Sequence, residues 1–376
     1  MGQTIRLGRL FGIAIEIDLT WFIIFALVVA SFATGYFSRY VPAETPALMW
    51  VYGLVGALLL FGSIVAHEFC HAYVGRIYGV HTTSVTLFVF GGVAKMTDDP
   101  PSPRAEFWVG VAGPICSFGL GALFAALWVW SSLLHAGDAV ASTFRLAGQL
   151  NAMLAVFNLL PGLPLDGGHV VRALAWWRSG SQAVGTRTAS GAGQLVGYGI
   201  MGWGILTLIA GPGLNLSGLW LILIGWFVAQ AAVSQLRAVQ MQQALSGVPV
   251  ARLMTTPVTT VPAGITVEEL VRDYFMAHAY TGYPVMEGEV LKGVVNVANV
   301  RTIPRERWGT TLVSDVVPPL SQEQVIAPQA DGWEALARMA RTECGCVLIV
   351  DQGQLQGILT HSDVLRLIRA RLQLGV

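Results

Sequence analysis

Charge is scarce in this 376-residue chain: Asp, Glu, Lys and Arg make up 12% of it. An ordinary soluble domain carries roughly 25%. So little charge cannot clothe a water-facing surface for 40.2 kDa of protein, which excludes a wholly soluble molecule. An excess of one sign is missing too, with 22 basic against 22 acidic residues. There is no electrostatic footprint for nucleic acid, and polyanion binding drops out. Cysteine is sparse. Cys70, Cys116, Cys344 and Cys346 have no spacing that suggests a disulfide framework or a zinc ribbon, and they read as free thiols in a reducing setting. No small-residue cleavage site follows the first apolar run, so Trp21–Phe37 is expected to be a retained span. Arg6 stands where a myristoylation signal wants Ser or Thr.

What is present is apolar: 54% of residues, with a mean hydropathy of +0.61. The few charges are uneven. Residues 1–245 hold eleven basic and nine acidic groups, and the shorter stretch 246–376 holds eleven and thirteen. That shift marks a boundary between a membrane part and a soluble part. Six stretches approach the roughly 20 residues a spanning helix needs: Leu19–Phe37, Leu48–Tyr78, Phe107–Leu134, Phe144–Trp177, Gly193–Ala210 and Leu216–Leu236. The fourth is interrupted by Pro161-Gly162-Leu163-Pro164-Leu165-Asp166-Gly167-Gly168-His169, which cannot be continuous helix. Broken backbone at membrane depth is tolerated only where it is buried in protein or lines a cavity, so the break points to a site. Gly8–Asp18 and Ser84–Met96 look extended, the latter rich in β-branched and aromatic residues. With the N-terminus inside, Arg6, Arg9, Arg76, Lys95, Arg104, Arg172, Arg178, Arg187 and Arg237 fall on the inner side, against Arg39 and Arg145 outside. Six spans then return the tail to the cytoplasm.

The tail holds a weak internal repeat of about 60 residues. One copy runs from Met254 to Ile303 and the other from Val313 to Ile368. Each has a helical stretch, a pair of short apolar strands, a glycine-led strand and a closing helix.

The second span contains His67-Glu68-Phe69-Cys70-His71. Residues four apart share a helix face, so two imidazoles converge, and neutral imidazole is a good zinc ligand. Glu68 is offset by one residue and can reach a zinc-bound water as general base without ligating. Three ionisable groups in five residues of an uncharged stretch need a compensating partner, which a dication supplies; the plainer reading is a solvated helix end. Asp166, the carboxylate of the break, is the candidate third ligand, leaving the open position of a catalytic site. A simple turn aspartate is its plainer reading, and His169 is a competing ligand. Asn158, just ahead of the break, is a candidate donor to substrate or to a developing oxyanion, or else an amide bonded between helices, the role read for Asn151. Ser84–Met96 is a candidate edge strand that binds an extended peptide by β-augmentation, with Gly91-Gly92 permitting close approach; an ordinary hairpin is the alternative.

These residues resemble the site-2 protease family of intramembrane zinc metalloproteases. The resemblance rests on Ala66-His67-Glu68-Phe69-Cys70-His71-Ala72 in an apolar helix, and on the run from Phe157-Asn158 through Pro161-Gly162-Leu163-Pro164-Leu165-Asp166-Gly167. It covers about the first 240 residues and implies that His67, His71 and Asp166 bind one Zn2+, that Glu68 is the base, and that Asn158 holds substrate or oxyanion. In that family the substrate is another membrane protein's transmembrane segment. The tail resembles a pair of cystathionine-β-synthase (CBS) domains. Gly357-Ile358-Leu359-Thr360-His361-Ser362-Asp363 is similar to their G-x-x-T-x-x-D signature, which implies that Thr360 and Asp363 hold an adenine nucleotide, ATP or AMP. The first copy has Asn296 and Asn299 at the matching positions, which puts a second nucleotide site in doubt.

The expected architecture is a multi-pass α-helical membrane domain with six transmembrane helices and short membrane-associated β-strands, followed by an α/β cytoplasmic tandem CBS domain. The expected boundaries are 1–236 for the protease domain, 237–251 for a linker, 252–310 for the first CBS domain and 311–376 for the second. The expected function is zinc-dependent cleavage of transmembrane segments in the plasma membrane, modulated by adenine nucleotide, in a homodimer formed through the CBS pair. The competing class is a transporter, which should spread polar residues along several spans; here they concentrate on two segments. A catalytically silent binding protein of the same fold is the other alternative.

Overall fold

The computed structural model describes residues 4–89, 91–96, 99–210, 216–277, 280, 282–342 and 344–366, with residue 216 described by its backbone alone. Ile368, at the end of the second repeat, lies outside them. The chain divides into two units, Met1–Arg237 and Ala238–Val376.

The first unit opens with a hairpin, β1 (Thr4–Leu10) and β2 (Ile13–Asp18). The first long helix follows directly, α1 (Leu19–Tyr40), with Asp18 accepting the backbone N–H of Thr20 as its N-cap. Next come α2 (Pro46–Ile77), β3 (Thr82–Phe88), β4 (Gly91–Met96) and α3 (Pro103–Leu133). The helices α4 (Asp138–Asn158), α5 (Asp166–Ser179), α6 (Gln182–Ala210) and α7 (Leu216–Leu245) complete the unit. Both α2 and α3 start in the same way. A hydroxyl caps the helix, Thr45 or Ser102, and a proline occupies the first turn, where its missing N–H costs nothing.

Among the described residues five helices are long and apolar enough to cross a membrane: α1, α2, α3, α6 and α7. The sequence led us to expect six. The fourth stretch, Phe144–Trp177, falls short because the Pro/Gly run cuts it in two. α5 has 14 residues, about 21 Å of helix against a hydrocarbon core of about 30 Å. α4 carries Asp138, Arg145, Gln149 and Asn151. The long helices leave apolar side chains exposed all round, among them Leu58, Ile115, Leu123, Leu195, Leu206 and Ile209, as lipid-facing helices do.

The four strands form one sheet in the order β1-β2-β3-β4, antiparallel except for the parallel β2–β3 pair. Ser84–Met96 is therefore not one strand but parts of two, and β4 is the last strand of the sheet. Ile17 of β2 and Leu87 of β3 pack with Trp21 of α1 and Phe61 of α2, fixing the sheet against these two helices.

The second unit contains two three-stranded sheets. In the first, β5 (Val261–Pro262), β6 (Gly282–Glu287) and β7 (Val290–Asn296) lie side by side in that order; in the second, β9 (Cys346–Asp351) lies between β8 (Val325–Ile326) and β10 (Gln354–Thr360). The lead-in segments cross over. Leu245, Val248, Val250 and Leu253 pack with Ile326, Met339, Val347 and Leu359 of the second copy. Val313 belongs to the core of the first copy with Val261, Leu270 and Tyr283. The segment expected as a linker, 237–251, is helical as far as Leu245 and ends inside a core.

Candidate active site

His67 and His71 sit one turn apart on α2, both buried at 3% and 6% exposure. The Nδ1–H of His71 donates to the Val109 carbonyl at 2.6 Å. A carbonyl can only accept, so the neutral ring keeps its lone pair on Nε2. Nδ1 of His67 is 2.8 Å from Oγ of the buried Ser117, which orients that ring in the same way. The two Nε2 atoms point at each other across 3.2 Å. Asp166 completes the group, with Oδ2 2.9 Å from His67 Nε2 and Oδ1 3.2 Å from His71 Nε2. Lone pairs brought this close repel unless a cation sits among them. Among the described residues these three form the cluster able to hold a metal ion. Two imidazoles and one carboxylate suit zinc.

The surroundings keep room for an ion. A Cβ on Gly113 of α3 would run into Nε2 of both histidines, so glycine leaves open the space in front of them. Asp166 is delivered by the break before α5. Leu163 N donates to Ala189 O of α6 at 3.1 Å and Leu165 N to Gly162 O at 3.0 Å. A Cβ on Gly167 would meet the carbonyls of Leu159 and Leu160, and one on Gly168 would meet the backbone at Gly162 and Leu163. The Asp166-Gly167-Gly168 run lets α5 begin flush against the turn.

Sequence reasoning missed Glu106. It is fully buried on α3; Oε1 takes Arg172 Nε at 2.7 Å and Oε2 takes the terminal guanidinium nitrogen at 2.5 Å. His169 Nδ1 lies 2.7 Å from Oε1. His169 is thus committed to Glu106 and is not the third ligand, and Arg172 is an internal anchor rather than a surface charge. These contacts clamp α5, and Asp166 at its head, to α3. A glutamate in the first turn of an apolar helix was the available signal.

Glu68 is half-buried and accepts no hydrogen bond among the described residues. Its side chain lies on Gly92 of β4. Gly91 and Gly92 thus occupy the edge of the sheet beside the candidate base. Asn158 is the last residue of α4, half-buried, with its amide unpaired among the described residues, so no hydrogen bond there ties it to the histidines. Asn151 is interhelical glue, its Nδ2 donating to Ser63 Oγ and Ala147 O, each at 2.9 Å.

In the second unit Thr360 and Asp363 line a 390 Å³ cavity with Thr255, Val258, Tyr280, Cys344 and His361. Asp363 Oδ2 accepts the N–H of Thr360 at 3.0 Å and its hydroxyl at 2.7 Å, and Oδ1 accepts the Thr255 hydroxyl at 3.0 Å. At the matching place in the first copy Asn296 and Asn299 cap each other and do not line this cavity.

The model for peptidase family M50 matches residues 55–141 and 129–201, and the CBS domain model matches 250–305 and 313–370. The zinc metalloprotease Rip3 of Mycobacterium tuberculosis, so named, is 36% identical over 374 residues, spanning 98% of this chain and 93% of its own. This chain belongs to peptidase family M50. A second relative, a zinc metalloprotease from Methanocaldococcus jannaschii, is 30% identical over 97% of this chain and 96% of its own length. The solved site-2 protease from Methanocaldococcus jannaschii aligns at 27% identity and a TM-score of 0.43, over 62% of this chain and 95% of that one. By its family and its zinc-metalloprotease relatives, this M50 protein is a zinc metalloprotease of the site-2 type, a membrane protein with a tandem CBS tail.

Proposed function

We propose that this protein cleaves transmembrane segments of other membrane proteins at a centre made by His67, His71 and Asp166, with Glu68 as general base. The observation that carries this reading is the convergence of His67 Nε2, His71 Nε2 and the Asp166 carboxylate within 4.8 Å, one helical position from a carboxylate that rests on an open sheet edge.

Zinc held by these three side chains supplies Lewis acidity for amide hydrolysis. The remaining work falls to the chain. A substrate segment unwound to an extended form pairs with β4, whose outer edge offers backbone N–H and C=O groups. Pairing there brings its backbone past Gly92 and so past Glu68. The Glu68 carboxylate takes a proton from the attacking water and returns it to the leaving amine nitrogen. Asn158, with an uncommitted amide, donates to the substrate carbonyl as negative charge develops.

The cavity at Thr360 and Asp363 holds one adenine nucleotide, with the Asp363 carboxylate facing the ribose hydroxyls. Its volume lies within the range of small-ligand pockets. The N-terminus and the CBS pair both face the cytoplasm of a plasma-membrane protein, which takes an even number of crossings; α4, 21 residues and about 31 Å long, makes the sixth in spite of its polar residues. The working division is 1–236 for the protease and 252–310 and 311–376 for the CBS copies, the latter also carrying a homodimer contact.

The decisive experiment measures bound zinc and cleavage of a model membrane substrate together, in the wild type and Glu68→Gln, with and without ATP. One zinc in both proteins with cleavage in the wild type alone supports the reading. Cleavage by zinc-loaded Glu68→Gln, or no zinc in either protein, sinks it.

A further inference from the structure

Two thiols share the wall of the cavity in the second unit. Cys344 and Gly345 lead into β9, which Cys346 opens, and all three line the cavity. Cys344 is half-buried and Cys346 is 3% exposed. Between them the chain bends at Gly345, whose φ of +59° lies in the left-handed region. A bend of one residue holds its neighbours' α-carbons near the separation a disulfide spans, about 4.4–6.8 Å. While protonated, the Cys344 Sγ–H donates to the Cys346 carbonyl oxygen at 3.3 Å, which folds that sulfur back over its partner residue.

The two sulfurs are unequal. The Cys346 thiol, donating toward its neighbour, pulls the Cys344 thiol down to about 6. Cys346 is itself pushed far up, first by Cys344 and then by burial. One sulfur is therefore a thiolate that the cavity exposes, and the other is a thiol behind it.

We propose that Cys344 and Cys346 are a reversible thiol–disulfide pair, closed by exchange with a low-molecular-weight disulfide that enters the cavity. The Cys344 thiolate attacks one sulfur of that disulfide. Its S–S bond breaks, one small thiolate leaves, and a mixed disulfide forms on Cys344. Capping Cys344 removes the negative charge that kept Cys346 protonated. The Cys346 thiol then gives its proton to solvent and attacks the Cys344 sulfur, expelling the second small thiolate. From the thiolate–thiol state the protein loses two electrons and one proton, and one small disulfide becomes two small thiolates, which take up protons from solvent according to their own pKa.

Closure has a route to the rest of the cavity. The Gly345 carbonyl accepts a hydrogen bond from His361 Nδ1 at 3.0 Å, and His361 is on the same wall as Asp363. Linking the two sulfurs shifts that carbonyl and releases His361, so the oxidised protein binds ATP more weakly. This last step alone rests on the nucleotide reading above.

The test uses the full-length protein in detergent. It is equilibrated with oxidised glutathione, denatured in iodoacetamide, digested and weighed. The expected wild-type peptide carries Cys344 and Cys346 unlabelled, lighter by two hydrogen atoms, and takes up two labels after reduction. Cys346→Ser stops at a glutathione adduct on Cys344, and Cys344→Ser takes up no glutathione at Cys346. Full labelling of both thiols in treated wild type, or no adduct on Cys344 in the Cys346→Ser protein, overturns the pair. ATP binding is measured on the reduced and oxidised forms. A loss of about tenfold on oxidation supports the coupling to His361, and equal affinities overturn it. Failure of the reduced protein to bind ATP refutes the nucleotide reading, while the masses still decide the thiol pair.

Discussion

Gly92 presses on Glu68 so closely that a β-carbon on Gly92 would lie 2.8 Å from Cγ of Glu68 and 3.3 Å from its Oε1. The strand that would receive substrate and the residue that would move the proton are thus in direct contact. Gly92→Val is expected to displace the Glu68 carboxylate by about 1 Å and lower kcat by about 100-fold, with zinc content unchanged. A variant that cleaves at the wild-type rate would separate β4 from the chemistry. Metal analysis alongside kinetics distinguishes this from loss of the ion.

Filling the space before the imidazoles should act on the metal itself. Gly113→Val places side-chain atoms at Nε2 of His67 and His71, and the expected result is a protein without zinc. Asp166→Asn should weaken zinc binding by removing the only negative charge in the ligand set. A chelator should abolish cleavage by the wild type and added zinc should restore it, while zinc added to Gly113→Val should restore nothing. Metal analysis and a cleavage assay with each protein decide this.

The buried Glu106 is expected to be a positioning residue. Glu106→Ala leaves the Arg172 guanidinium without its partner, at a cost of about 3–5 kcal/mol, and frees the helix that begins with Asp166. Both the thermal midpoint and the affinity for zinc should fall. Pairing Glu106→Ala with Arg172→Met should recover much of the stability, because no charge is stranded, without recovering zinc affinity. Recovery of both together would mean that Glu106 only holds the fold.

Alkylation of Cys344 should follow its ionisation. The thiolate is the nucleophile, and the group titrates at about 6. The rate with iodoacetamide should be low at acid pH, rise through a midpoint near that value, and level off above it. In Cys346→Ala the midpoint should move up, because the main group that holds the thiolate is gone. Peptide mass spectrometry across a pH series reads both curves.

Nucleotide stoichiometry tests the two copies of the repeat. Asp363 brings a carboxylate to the cavity, whereas Asn296 and Asn299 only cap a helix. One ATP per chain is expected, lost in Asp363→Ala and kept in Asn299→Asp. Two ATP per wild-type chain by calorimetry would contradict this.

Much of this protein is determined by its sequence alone. Low charge and long apolar runs dictate helices in a membrane, since no other surface suits them. The i, i+4 spacing of His67 and His71 places both rings on one helix face whatever surrounds them. The Pro/Gly run from Pro161 to Gly168 must break its helix, because proline lacks the N–H and clashes with the preceding turn. The repeat and its unequal signatures are equally local, and so legible.

Other features depended on which distant segments meet. In the sequence His169 competes with Asp166, the favoured third ligand; what engages it is a carboxylate 63 residues away. Gly113 and Ser117 belong to no motif, and they matter because α3 passes in front of α2. Ser84–Met96 looks extended in sequence, but only strand pairing shows that it folds back and leaves β4 at the edge. In the tail the two lead-in segments exchange partners, Val250 and Leu253 completing one core and Val313 the other. Apolar side chains carry no address, and burial is indifferent to which copy supplies it. Those choices were made by packing between segments far apart in the chain.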